Sequence, residues 1–139
     1  MRKLIPFIFV CALCLGFAAC GGDDDEEETY FRVKGATEEG TMVIRINLEN
    51  EETIAALDIE TNLKDWSMIK EDTREIFWSF EEDIASSLRT INGSGNKTVN
   101  IYLIRNTNQQ DRTAHIDVYS NNVYKKSILI KQKGIGSAN

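Results

Sequence analysis

The sequence predicts an all-β protein, a sandwich or barrel of about seven strands, and three observations carry that reading. From Met42 onward apolar residues recur at every second position, as in Val99, Ile101 and Leu103 or in Ala114, Ile116 and Val118, which is the period of a strand and not of a helix. Turn-forming residues interrupt these runs at short intervals. Between Thr29 and Lys133 the chain has neither cysteine nor proline, so it must hold together by packing alone, which a single domain of roughly 100 residues can do.

Taken in order, Thr29 to Lys34 reads as an extra edge strand or as the ordered end of what precedes it. Met42 to Leu48 and Thr53 to Thr61 read as a pair joined through Glu49 to Glu52, followed by strands at Asp65 to Ile69 and Glu75 to Phe80. Glu82 to Ile91 places Ile84, Ala85, Leu88 and Ile91 at helical spacing, with acids at its start and Arg89 near its end, so a short helix is expected there. Gly93-Ser94-Gly95-Asn96 is a loop before the strand Lys97 to Arg105. Arg112 to Tyr119 and Val123 to Lys131 form a hairpin across Ser120-Asn121-Asn122, because Asn tolerates the positive φ of a tight turn.

The start of the chain has a different character. Arg2 and Lys3 are followed by the apolar run Leu4 to Ala19, which ends in two small residues and has the form of a secretory signal. The run is shorter than the roughly 20 apolar residues of a membrane span. Phe17-Ala18-Ala19-Cys20 resembles the lipobox of bacterial lipoproteins, with Phe where the usual pattern has Leu, and the resemblance implies cleavage before Cys20 and lipidation of that residue. Asp23 to Glu28 are six consecutive acids that cannot bury apolar surface, so a solvated tether is expected. An acidic run directly after such a cysteine also resembles the export signal of Bacteroidetes lipoproteins bound for the outer face of the outer membrane. The expected organisation is a signal peptide at 1–19, a lipidated cysteine and tether at 20–28, one sandwich at 29–134 and a tail at 135–139.

Charge and cysteine usage narrow the function. The net charge is −6, with 16 basic and 22 acidic residues, but the acidic run holds six of the acids and the signal two of the bases. The body therefore carries 14 bases against 16 acids, and a basic surface for nucleic acid is not expected. Cys11 and Cys14 fall in the signal and Cys20 is the anchor, so no thiol remains for a disulfide, a zinc site or a nucleophile. No metal or cofactor is expected.

From Leu57 to Gly134 an ordered set of residues matches one family. Ile59-Glu60-Thr61-Asn62 precedes Trp66; Trp78-Ser79-Phe80 forms a second tryptophan segment; Gly93-Ser94-Gly95-Asn96 leads into Val99. Asn106, Arg112-Thr113-Ala114, Ile116 and Ile130-Lys131-Gln132-Lys133-Gly134 close the set. The chain thus resembles the BACON domain, a Bacteroidetes-associated, Ig-like module whose name records a proposed role in carbohydrate binding. The stretch Glu81 to Asn92 is longer than the family's usual connection. The resemblance implies an Ig-like antiparallel β-sandwich with Trp66 in its core.

Candidate chemistry is sparse, and no enzyme is expected. His115, the single histidine, alternates out of phase with Ala114, Ile116 and Val118 and reads as a solvated strand residue rather than a base. Glu81, Glu82 and Asp83 read as a solvated loop or helix start, not a hydrolytic pair. Carbohydrate binding demands exposed rings beside amides and carboxylates. Trp66 shares parity with Met68, and Trp78 with Ile76 and Phe80, so both tryptophans are assigned to the core. Phe77, Tyr102, Tyr119 and Tyr124 remain as rings free to face solvent. The loops of an Ig-like sandwich would gather Asn62, Lys64 and Asp65 near Asn121 and Asn122, flanked by Tyr119 and Tyr124, and this cluster is the expected glycan contact. The expected partner is an extracellular glycan or glycoprotein, with the membrane reached only through the lipid. The alternative is a structural or adhesive module contacting a protein. Nothing in the sequence sets an oligomeric state.

Overall fold

The computed structural model describes residues 28–136. Cys20, the signal 1–19 and all of the acidic run except Glu28 lie outside the described residues. Ten strands follow in order: β1 (Phe31–Val33), β2 (Thr37–Glu39), β3 (Val43–Leu48), β4 (Ile54–Thr61), β5 (Trp66–Ile69), β6 (Trp78–Ser79), β7 (Thr90–Gly93), β8 (Lys97–Leu103), β9 (Arg112–Ser120) and β10 (Val123–Gln132). They form a four-stranded sheet of order β1-β4-β8-β6 and a six-stranded sheet of order β2-β3-β10-β9-β5-β7. The pairs are antiparallel except β3 with β10, which is parallel. The fold is an all-β sandwich.

Alternation explains the layers. Ala55, Leu57 and Ile59 on β4 and Val99, Ile101 and Leu103 on β8 turn inward from the smaller sheet. Ile44, Ala114, Ile116, Val118, Ile128 and Ile130 meet them from the larger one and are fully buried. Two edge-to-face aromatic pairs lie within this core, Phe31 with Trp66 at a centroid separation of 5.6 Å and Trp78 with Phe80 at 5.2 Å. Among the described residues the core runs from Phe31 to Ile130.

The hairpin is as the sequence predicts, with Asn121 at φ 53° and Asn122 at 65° forming its two-residue turn. The edge strand anticipated near Thr29 to Lys34 is β1. Four expectations are corrected. The strand count among the described residues is ten because short segments at 31–33, 37–39 and 90–93 add to the sheets. Met42 to Leu48 and Thr53 to Thr61 do not pair, since β3 joins β10 in one sheet and β4 joins β8 in the other. Alternation fixes which face of a strand is inward but not which strand lies beside it.

The helix over Glu82 to Ile91 is absent. Side chains compete there for the backbone: Asp83 Oδ1 accepts from Ala85 N at 3.0 Å and Ser86 Oγ from Leu88 N at 3.1 Å. Ile91 instead enters β7 opposite Met68. Lastly, of Glu75 to Phe80 only Trp78–Ser79 is strand. Ile76 N donates to Arg74 O in a turn, and Ile76 is 75% exposed, so it does not share the inward face of Trp78 and Phe80.

Candidate functional site

Strand direction brings four things to one end of the sandwich: the start of the described chain, the link from β4 to β5, the turn from β7 to β8 and the Asn121–Asn122 turn. On the outer face of the larger sheet beside that turn is a cleft of about 340 Å³ lined by Asp65, Trp66, Ser67, Ile69, Tyr119, Asn121 and Asn122. Each member follows from a local rule. Ser67 and Ile69 alternate with the buried Trp66 and Met68, and Tyr119 alternates with Val118 and Ser120, so all three face outward. Ser67 and Tyr119 are direct partners across β5 and β9.

A polar strip continues from the cleft. Tyr119 and Tyr124 are cross-strand partners whose rings meet edge-to-face, 5.9 Å apart at 72°. The Tyr119 hydroxyl donates to Glu71 Oε2 at 3.2 Å, which holds its pKa above the ordinary phenol value. The Tyr124 hydroxyl bonds Ser127 Oγ at 2.7 Å, and Ser127 Oγ donates to Asp117 Oδ1 at 2.9 Å. The strip therefore offers a half-exposed ring, amides and carboxylates within one patch. It could bond several hydroxyls of one ligand.

Of the residues expected at a glycan site, Asp65, Tyr119, Asn121 and Asn122 meet in the cleft. Tyr124 borders it through Tyr119. Lys64 is exposed outside the lining. Asn62 serves another purpose: its Oδ1 accepts from Tyr30 N at 2.8 Å and its Nδ2 donates to Glu28 O at 2.9 Å, which fastens the incoming chain to the domain. Sequence reasoning missed Ser67, Ile69 and Glu71. Ser67 and Ile69 were signalled by their alternation with Trp66 and Met68, whereas Glu71 sits beyond the end of its strand, where no periodicity applies.

The other candidates are occupied structurally. Trp66 and Trp78 are both buried. Phe77 is half-buried beneath the Arg112 guanidinium, 4.4 Å from its ring centre, and so is not a free ring. His115 faces outward as alternation requires but pairs through Nδ1 with Glu75 Oε2. Glu75 Oε1 also accepts from His115 N and from Trp78 Nε1, each at 3.0 Å, continuing the bonding along β9 past the last residue of β5. Glu81 accepts from Ser86 Oγ at 2.7 Å within its own loop. Among the described residues no group of three or more His, Cys, Asp or Glu side chains is placed to hold a metal, and no helix is long and apolar enough to cross a membrane.

No protein-family model and no curated protein matches the chain. Among solved structures it is similar to a Bacteroides ovatus GH5 xyloglucanase in complex with a XXXG heptasaccharide, at 20% identity and TM-score 0.46, over 64% of this chain and 17% of that one. It is also similar to a protein from Bacteroides thetaiotaomicron solved by NMR, at 15% identity and TM-score 0.46, over 88% of this chain and 100% of that one. The chain spans less than a fifth of the xyloglucanase's length. At these values neither likeness carries an argument about function.

Proposed function

We propose that this chain is a BACON-like surface lipoprotein, exported by its signal, anchored through lipid on Cys20 in the outer membrane with the domain facing outward, and binding an extracellular glycan without catalysis. The observation that carries the binding reading is the cleft that gathers Asp65, Ser67, Tyr119, Asn121 and Asn122 beside an exposed tyrosine. Sugar recognition uses an apolar ring surface together with convergent polar groups that fix hydroxyls, and this patch supplies both kinds. Because Tyr119 and Tyr124 meet at 72°, only one ring can lie flat on a sugar, so the site suits one residue of a chain better than an extended flat polymer.

The runner-up, a module recruiting a protein by strand addition, needs a long open sheet edge. The edge strands β1, β2, β6 and β7 run to only two to four residues each, a length that discourages such pairing. Glycan-array binding tests the leading reading: wild-type protein should retain at least one glycan class and a Tyr119→Ala, Tyr124→Ala double variant should lose it. Undiminished binding by that variant would remove the site. For the anchor, labelled palmitate should enter wild-type protein in cells and not a Cys20→Ser variant; equal labelling would reject lipidation there.

A further inference from the structure

At the other end of the sandwich from Glu28 and the Asn121–Asn122 turn lies a larger groove, of about 630 Å³, that the glycan reading does not use. It is formed where the chain leaves β5 and β8 and by the irregular stretch between β6 and β7. Ile76, Ile84, Leu88 and Ile104 line it, and Ile76 and Ile104 are 75% and 50% exposed. Among the described residues the charged side chains in its lining are Lys70 and Arg89, with no acid.

Lys70 is the unusual member. Its residue is buried, its ammonium lies 4.6 Å from the Trp78 ring centre, and its hydrogen bond goes to Trp78 O. An ammonium has three donors. Among the described residues no carboxylate forms an ion pair with Lys70, and burial holds its pKa below the ordinary lysine value, an effect that the nearby charges of Glu75 and Asp72 only partly offset. Arg89 is directed onto the backbone carbonyls of Lys70 and Glu71, both at 3.3 Å, and likewise forms no ion pair among the described residues. A buried charge is costly unless paired, and here an apolar channel opens onto one that has no carboxylate in ion-pair contact among the described residues.

We propose that this groove binds a small amphiphile with an apolar chain and a single anionic head, the chain lying along Ile76, Ile84, Leu88 and Ile104 and the head meeting Lys70. Its volume falls in the range of small-molecule sites, roughly 300–1,000 Å³, and an apolar lining with a few placed polar groups is their usual make-up. The proposal uses none of the cleft residues and stands independently of the glycan reading.

The test uses the full chain, titrated with dodecanoate, dodecyltrimethylammonium and dodecyl maltoside below their micelle concentrations, with tryptophan fluorescence as one readout and calorimetry as the other. Dodecanoate should bind at least tenfold more tightly than the other two. Lys70→Met keeps an apolar stem over Trp78 and should bring dodecanoate to within about threefold of the maltoside. Ile76→Asp, at a position too exposed to threaten the fold, should weaken dodecanoate at least tenfold and favour the cationic amphiphile. Equal binding of all three amphiphiles, no binding by any, or an anion preference that survives Ile76→Asp would overturn the proposal.

Discussion

Gly93→Ala is the substitution whose consequence the structure fixes most tightly. A Cβ on Gly93 would lie 2.2 Å from Trp66 Cζ2 and 2.5 Å from Cε2 and Cη2, so the methyl and ring must part by about 1 Å to reach normal contact. The ring has nowhere to go. Trp66 is 1% exposed, rests edge-to-face on Phe31, and donates from Nε1 to Gly95 O at 3.0 Å. The backbone is held as well, since Gly93 is the strand partner of Trp66. Overpacking a core costs about 1–3 kcal/mol, and losing the indole hydrogen bond adds about 1. For a domain near 100 residues each kcal/mol moves Tm by about 4–8 °C, so Gly93→Ala should lower Tm by at least about 8 °C in a thermal melt. A fall of under about 3 °C would refute the reasoning. A Trp66→Phe background sharpens the test, because it removes the indole atoms that clash. There Gly93→Ala should cost at least about 1 kcal/mol less than in wild type, and strict additivity would count against the contact. Gly35→Ala serves as a control: φ is +81° with nothing within 4 Å of the built Cβ, so only the backbone term of about 1 kcal/mol applies.

Three further predictions concern other parts of the fold. Asn121→Ala and Asn122→Ala should each destabilise by about 1 kcal/mol in denaturant titrations while the Gly variants stay near wild type, since both residues hold φ positive. Asn106 is fully buried, with Nδ2 donating to the carbonyls of Gln110, Gln132 and Lys133 and Oδ1 accepting from Asn108 N at 3.0 Å; Asn106→Ala should cost about 3 kcal/mol by stranding those groups, measured by urea unfolding. Glu39 and Asp72 have pKa values lowered by their hydrogen bonds from Arg45 and Arg74. Their contribution is present above the ordinary carboxylate range, near 4, and is lost as pH falls through their folded values, so a Glu39→Gln, Asp72→Asn variant should show a smaller acid-side drop in Tm than wild type. Tyr119 has the opposite sign: its raised pKa stabilises below the free phenol value, near 10, and that contribution is lost as pH rises through the folded value. Tyr119→Phe should remove that alkaline loss.

Much of the fold was legible because burial imposes alternation. Ala114, Ile116 and Val118 announce a strand and its inward face without knowledge of any partner, and Asn-Asn announces the turn because few other residues accept two successive positive φ values. The pairing of β3 with β10 was not legible in the same way. Residues 43–48 and 127–132 are far apart in sequence, and a parallel match between them leaves no local trace in either. The stretch from Glu82 to Ile91 misled for another reason, since helical spacing of Ile84, Ala85, Leu88 and Ile91 coexists with Ser79, Asp83 and Ser86, whose side chains bond the backbone that a helix would need. Periodicity reports where apolar side chains go; it does not weigh that competition.

The same stretch explains why the sequence pointed to one surface and passed over another. Residues expected at the cleft were found by parity and by loop position, both of which survive without tertiary knowledge, and four of the seven meet there. The groove needs facts that parity cannot supply: that Ile76 leaves the inward phase of Trp78, that Leu88 stays outside any helix, and that Ile104 follows the last residue of β8. Three failures of regular structure thus converge on Lys70, whose lone carbonyl partner is itself a backbone group of the shortest strand. Had Glu82 to Ile91 folded as a helix, Ile84 and Leu88 would have shared one buried stripe and closed that end of the sandwich. Because the segment is irregular, it leaves an apolar recess with Lys70 at its wall, in ion-pair contact with no carboxylate among the described residues, and the ligand-binding role proposed for that end follows from the departure rather than from the pattern.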